Sequence, residues 1–236
     1  MPEPRATGGD RRAPVVLAFD TAGSACSVAI GRADLVLAHE RQPMRHGHAE
    51  ALLPMIDRVM DAARLAPGDL DTVAVTTGPG GFTGIRAGLA AAHGLALAAN
   101  AHLVGVTSFA AVAALVAAND VPLLVALDSR RADLYVQLFD AAGSPISEPA
   151  AVAPEQLAAW IGVETILVAG DAGEAAAALS RHARVETIPG SAPDGLGVLA
   201  ALRRWPNRAD PAAAPLYLRA PDVSFPKTRA IANGPP

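Results

Sequence analysis

The 236-residue sequence holds a single cysteine, Cys26, and a single lysine against eighteen arginines. One thiol excludes an internal disulfide, and no Cys/His pairs stand at zinc-ligand spacing, so the expected setting is reducing and cytoplasmic. The excess of arginine, beside abundant alanine, reads as codon bias and carries no functional information. No basic run interrupts a net charge of −4, which argues against a large tRNA or DNA footprint borne by this chain alone. Residues 1–13 lack the apolar core of a signal peptide, so they read as a loose tail with no export signal. The stretch 87–119 carries neither acids nor lysine or arginine. It is alanine-dominated and broken by Gly94, by Asn100 to His102 and by Thr107-Ser108, which fits helix–strand–helix better than a membrane span.

What is present is organised around Gly78-Pro79-Gly80-Gly81-Phe82-Thr83-Gly84-Ile85-Arg86. Asp71 to Val75 before it has a strand's composition, and the residues behind it have helical spacing, so the run is a strand–glycine loop–helix junction with Thr83 as a plausible N-cap. Such a junction can present several amide hydrogens to a phosphate over the positive end of the helix. It lacks the lysine of a P-loop, its third glycine is one residue late for a dinucleotide loop, and no acid follows to hold a ribose. The competing reading is plain packing. Gly84, Gly88, Ala92 and Ala96 recur every fourth residue, and a glycine costs ~1 kcal/mol of helix propensity that a closely approaching neighbour can offset.

Read in order, the chain repeats itself. An apolar strand from Val15 ends in Asp20, a small-residue turn follows, and strands from Cys26 and Asp34 complete a meander. A helix over residues 47–65 carries Leu52, Leu53, Met55, Ile56, Val59, Met60 and Ala63, a stripe too wide for one buried face. The surplus is either covered by the rest of the chain or forms an interface. After the glycine junction come a strand at Leu103 to Val106 and a helix capped by Thr107 or Ser108 and running to about residue 118. A second apolar strand from Leu123 then ends in Asp128, turns through Ser129 to Ala132 and returns from Leu134 to Phe139. A short helix near Glu155, a strand from Thr165 and a helix capped by Asp171, with Glu174 in capping-box position, follow. Pro206 stops the last helix, Pro215 to Arg219 is extended, and 221–236 reads as a mobile tail. The two openings imply a duplicated α/β architecture, with halves at 14–106 and 107–220.

Asp20 and Asp128, each at a strand end before a tight turn, stand where a duplicated phosphotransferase fold lines its phosphate cleft, although acids in such turns are also common. His46 and His48 are too close in sequence to chelate one metal from a helix. None of Ser24, Ser108 and Ser129 lies in a Gly-x-Ser-x-Gly elbow.

Several of these blocks together resemble the TsaB (YeaZ) proteins: Leu17 to Thr21 with Cys26 to Ala29, the helix from His48 to Asp57, the glycine junction, Gly94 to Ala98, Leu127 to Arg130, and Pro215 to Arg219. The junction is the specific element, and Gly81 departs from it where that family usually has serine. The resemblance implies a duplicated actin/Hsp70/sugar-kinase-like (ASKHA) fold of two ribonuclease-H-like halves. It implies a non-catalytic dimerisation subunit that joins TsaD and the ATPase TsaE to place threonylcarbamoyl on N6 of adenosine 37 in tRNA. That tRNA is reached only through the complex, and no membrane is involved. TsaD carries its metal on a His-x-x-x-His helix; here the matching positions are Ser108 and Val112, so no metal is expected. No resident cofactor is expected either, although ATP or ADP can enter at a complex interface, and Asp20, Thr21, Gly78 and Gly80 would form a vestigial phosphate site. The helices that pair TsaB with TsaD place the expected interface at Leu52, Met55, Ile56, Val59, Gly84, Gly88 and Ala92, with a homodimer through the same surface when TsaD is absent. Two other readings stay open: an ASKHA kinase using Asp20 and the glycine junction on ATP, with Gly170-Asp171-Ala172-Gly173 against the adenosine, and a glycoprotease-like peptidase.

Overall fold

The computed structural model describes residues 13–117, 120–162, 165–179, 184–187 and 192–219. Apart from Ala13, the expected tails at 1–13 and 221–236 lie outside them.

Two five-stranded sheets carry the fold. The first holds β1 (Val15–Asp20), β2 (Ala25–Arg32), β3 (Leu35–Pro43), β4 (Thr72–Thr76) and β5 (His102–Val106) in the order β3-β2-β1-β4-β5. The second holds β6 (Leu123–Asp128), β7 (Leu134–Phe139), β8 (Ala150–Val152), β9 (Thr165–Ala169) and β10 (Arg184–Thr187) in the order β10-β9-β6-β7-β8. With β6 set on β1, the two orders are the same. In each sheet the central strand pairs antiparallel with the next one and parallel with the fourth of its set. That repeated topology is the duplicated ribonuclease-H-like arrangement of the ASKHA fold.

Among the described residues six α-helices fill the remaining layers: α1 (His48–Ala63), α2 (Phe82–Ala99), α3 (Ser108–Leu115), α4 (Leu157–Ile161), α5 (Gly173–Leu179) and α6 (Gly195–Arg204). The period-two alternation of β1 decides which helices meet which face. Leu17 and Phe19 join Val28, Ile30, Val73 and Val75 under α1 and α2, whereas Ala18, Ala29 and Ala74 present small side chains to α6. Those alanines let α6 approach closely: a Cβ on Gly195 would lie 2.9 Å from the Ala18 carbonyl oxygen. On the second sheet, Leu124, Val136 and Val168 face α4 and α5, and Val125, Leu127 and Phe139 face Phe109 and Val112 of α3. The layers therefore run α1/α2, first sheet, α6 with α3, second sheet, α4/α5. The 106/107 division leaves α3 with the sheet it packs on, but α6, from the end of the chain, returns to the first sheet. The N-terminal core is thus closed by C-terminal sequence.

By length and composition α2 could cross a membrane, but its Ile85, Leu89, Ala92 and Ala96 are buried on the first sheet. Some ends differ from the sequence reading. The N-cap of α2 is Gly81, which offers no side-chain bond, and Thr83 lies within the first turn. Gly81 ends up there because its N–H donates to the Ala22 carbonyl at 2.8 Å, a long-range bond that fixes where the helix begins. Thr107 does cap α3, its hydroxyl accepting from Ala110 N at 3.1 Å, and the helix ends at Leu115, short of residue 118. Asp171 stands two residues before α5 and accepts from Asp128 N at 2.9 Å, a bond between β6 and the turn after β9 in place of a cap.

Candidate functional site

The two strand-end acids and the glycine junction meet at the C-terminal ends of the central strands, where open α/β sheets place ligands. Asp20 is fully buried. Its Oδ1 accepts from the Thr76 hydroxyl at 2.5 Å and from Ala22 N at 3.2 Å, and its Oδ2 accepts from Gly23 N at 3.2 Å. Burial nevertheless pushes its pKa up to about 6, against the pull of those three donors. Thr21 donates its hydroxyl to the Gly84 carbonyl at 2.8 Å. A Cβ on Gly80 would overlap the Ala22 carbonyl, and Gly78, at φ 103°, accepts at its carbonyl from Ser108 N at 2.7 Å.

These bonds change the meaning of the phosphate reading. The structure does bring Asp20, Thr21, Gly78 and Gly80 together, but Ala22 and Gly23 spend their N–H groups on Asp20, and Gly81 spends its own on Ala22. The turn after β1 and the glycine junction bond to each other where a phosphate cradle would need free donors. Between the halves a pocket of about 380 Å³ opens between the glycine junction, the Ser129 to Arg131 turn and the stretch from Leu216 to Arg219, whereas the recess behind it, bounded by Ala22, Gly23, Gly80, Asp128, Arg130 and Asp171 among others, encloses only about 20 Å³. That is room for about one water, whereas ligand pockets run to ~300–1,000 Å³. Arg130, at φ 60°, reaches across from the second half to donate to the Gly23 carbonyl at 2.9 Å. Gly170 closes the far side: a Cβ there would overlap the Ala126 carbonyl, so its place is a close approach to β6.

Ser108 and Val112 are both fully buried. The Ser108 hydroxyl has no hydrogen-bond partner among the described residues, and Val112 packs with Phe109 and Leu123. Nothing at these positions opens toward solvent. Ser129 donates to the Asp133 carboxylate at 2.7 Å, so neither serine is held by a histidine base. His48, at the start of α1, is 7% exposed, and burial, with the Arg130 charge, pushes its pKa down.

The interface expectation needs correction. Leu52, Met55, Ile56 and Val59 are no more than 2% exposed and belong to the chain's own core. Their stripe is wide because α1 packs against β2, β3 and α2 together. Gly84, Gly88 and Ala92 are buried as well. A Cβ on Gly84 would overlap the Thr21 carbonyl, and one on Gly88 would overlap the Thr21 hydroxyl and lie 3.3 Å from Val75. The glycine row therefore seats α2 on the end of β1. The opposite faces of the same helices are open: Leu53 is 50% and Leu97 85% exposed, and a Cβ on Gly94 would meet no atom within 4 Å.

One connection went unread in the sequence. Phe82 and Tyr217 approach to 5.3 Å between ring centroids, the Arg86 guanidinium lies 3.8 Å over the Phe82 ring, and its Nε donates to the Tyr217 hydroxyl at 3.3 Å. Leu216 N donates to the Thr77 carbonyl at 2.8 Å, and Arg219 pairs with Asp133. The extended C-terminal stretch thus straps the start of α2 to the turn of the second half. The signal available was only the recurrence of both blocks in one resemblance.

Topology and site define a duplicated ASKHA-fold protein whose halves are tied at the glycine-junction end by the bond from Arg130 to the Gly23 carbonyl. Among solved structures the chain is similar to YeaZ from Pseudomonas aeruginosa, at 25% identity and a TM-score of 0.72, covering 87% of this chain and all of that one. A family model described as TsaD, tRNA N6-adenosine threonylcarbamoyltransferase, matches residues 42–189. The Escherichia coli tRNA threonylcarbamoyladenosine biosynthesis protein TsaB is 35% identical over 51% of this chain and 52% of its own length. An uncharacterized protein of Mycobacterium tuberculosis is also 35% identical, over 88% of this chain and 93% of that protein. The chain belongs to the TsaB (YeaZ) family.

Proposed function

We propose that the chain is a non-catalytic scaffolding subunit in tRNA threonylcarbamoyladenosine biosynthesis, acting in the cytoplasm. In this reading it pairs with a TsaD transferase subunit, brings in the ATPase TsaE, and meets tRNA only through that complex. The observation that carries the reading is that the turn after β1 and the glycine junction spend amides on each other and on Asp20, leaving a recess of about 20 Å³ between them. A kinase of this fold would have to cradle phosphates with these loops, and the N–H groups of Ala22, Gly23 and Gly81 are already donated to Asp20 and to the Ala22 carbonyl. A serine peptidase would need a serine activated by a histidine, whereas the Ser129 hydroxyl is bonded to Asp133 and that of Ser108 has no partner among the described residues.

The pairing surface in this proposal is the outer face of α1 and α2, with Leu53, Gly94 and Leu97 toward TsaD or, in its absence, a second copy. Two observations support it. Leu97 is the most exposed large apolar side chain of the described residues, and Gly94 gives up helix propensity for no contact within the chain. Co-purification with a cognate TsaD tests the proposal: the wild-type chain is retained and a folded Leu53→Asp/Leu97→Asp variant is not. Titration of the isolated chain with Mg-ATP tests the kinase reading, and saturable binding lost on Asp20→Ala would favour it over the scaffold.

A further inference from the structure

Where β5, α3, β7 and α6 converge, a cavity of about 340 Å³ opens. Its walls are hydrocarbon and aromatic: Val106, Phe139, Pro145, Leu202 and Trp205. This volume and lining are those of a small-molecule pocket.

Two polar groups in that lining are out of place in a packed core. Gln137 sits on β7 between Tyr135 and Phe139, on the apolar face turned to α3, and is only 7% exposed. Its side-chain N–H donates to the Ser147 carbonyl at 3.2 Å, while its carbonyl oxygen has no partner among the described residues. Arg208 stands at the mouth. Its guanidinium donates to the Gly143 carbonyl and the Ser144 hydroxyl, each at 2.9 Å, and lies 5.3 Å over the Trp205 ring. A second guanidinium, that of Arg204, lies 4.9 Å over the same ring and donates to the Val116 and Ala142 carbonyls. Neither arginine has a carboxylate partner among the described residues. The nearby acids are committed elsewhere: Asp140 accepts from Ser144 N, and Asp210 accepts from Ala212 N and Ala214 N.

An apolar chamber lined by Gln137 and with one guanidinium, that of Arg208, at its mouth selects a particular chemistry. We propose that this cavity binds a small amphipathic organic acid, its hydrocarbon or aromatic body against Phe139 and Trp205 and its carboxylate at Arg208. A charge-assisted hydrogen bond to a planar guanidinium favours a carboxylate over an alcohol of the same length. The cavity is walled by β5 and α3 on one side and β7 on the other, so an occupant touches both halves and raises the stability of their present arrangement.

The test uses the full chain and two probes, decanoate and decanol, followed by tryptophan fluorescence and by thermal melting. The expected result is saturable one-to-one binding of decanoate with a raised melting temperature, and at least tenfold weaker binding of decanol. Arg208→Gln is expected to abolish that preference while keeping decanol binding, and because Arg208 also bonds Gly143 and Ser144 a thermal melt checks that the variant is folded. Leu202→Trp, which fills the chamber, is expected to remove both. The proposal is overturned if the wild-type chain binds decanoate without saturation or not at all. It is also overturned if Arg208→Gln keeps the tenfold preference, or if a folded Leu202→Trp protein binds as the wild type does.

Discussion

Gly88 and Gly94 lie on opposite faces of α2 and separate packing within the chain from packing against a partner. At Gly94 an added Cβ meets nothing within 4 Å, so Gly94→Ala recovers helix propensity of ~1 kcal/mol. For a chain of this size that raises Tm by roughly 2–4 °C. At Gly88 the same methyl overlaps the Thr21 hydroxyl and lies 3.3 Å from Val75. Because Thr21 is held by its bond to the Gly84 carbonyl, it cannot step aside without breaking the seat of α2. Gly88→Ala is therefore expected to lose ~1–3 kcal/mol as overpacking does. Gly94→Leu completes the set: the monomer keeps its fold, while a leucine on the outer face holds a partner helix away. If that costs ~1–3 kcal/mol, affinity for TsaD falls roughly 5- to 150-fold. Thermal melts of the three variants, beside titration of Gly94→Leu with TsaD, read all of this directly. A Gly94→Ala protein that melts lower than wild type, or a Gly94→Leu protein that binds TsaD unchanged, would refute the assignment of the two faces.

Other expectations follow from buried groups. Asp20, raised by burial from 3.8 to about 6, holds its proton in the fold at pH values where the unfolded chain has released it. Its contribution to stability therefore declines as pH rises from 4 to 6, by about 3 kcal/mol in all. Between pH 7 and pH 5 the wild type should gain roughly 1–1.5 kcal/mol relative to Asp20→Asn, and identical pH slopes in denaturant unfolding would show that Asp20 is not the group. The Cys26 thiol, pushed up to about 11 chiefly by burial and further by Asp20, should ignore Ellman's reagent at pH 8 in the native protein and react with one equivalent in denaturant; fast native labelling would contradict its burial. Gly170→Ala places a methyl on the Ala126 carbonyl from a φ of 115°, and is expected to lower stability by ~1–3 kcal/mol or more. A melt unchanged by that substitution would mean that the turn after β9 is free to move off β6.

The duplication was legible because its marks are local. Each half opens with an apolar run ending in Asp20 or Asp128, then a tight turn, and both strands end at those residues. Edges were less legible. β3 runs on to Pro43 because Ala25 and Cys26 of β2 still pair with it, and nothing in its own residues marks that stop. β8 and β10 are short edge strands with too few residues to display alternation. The partner face was misread for a geometric reason: a wide apolar stripe records how much of a helix is covered, not by what, and α1 lies in a corner made by a sheet and α2. Gly84 and Gly88 likewise marked a close neighbour without identifying it as Thr21. The tie between the halves rests on Arg130 meeting Gly23, residues 107 positions apart, which no pattern within either segment contains.

In the proposed function this chain acts through a partner and not through its own cleft. Transfer of threonylcarbamoyl to adenosine 37, measured with fixed amounts of TsaD, TsaE, ATP and tRNA while this chain is titrated in, tests it most directly. The account expects no transfer by this chain alone, little by TsaD and TsaE without it, and a rise that saturates when chain and TsaD are equimolar. Transfer catalysed by the isolated chain, or a TsaD activity indifferent to its presence, would contradict the account.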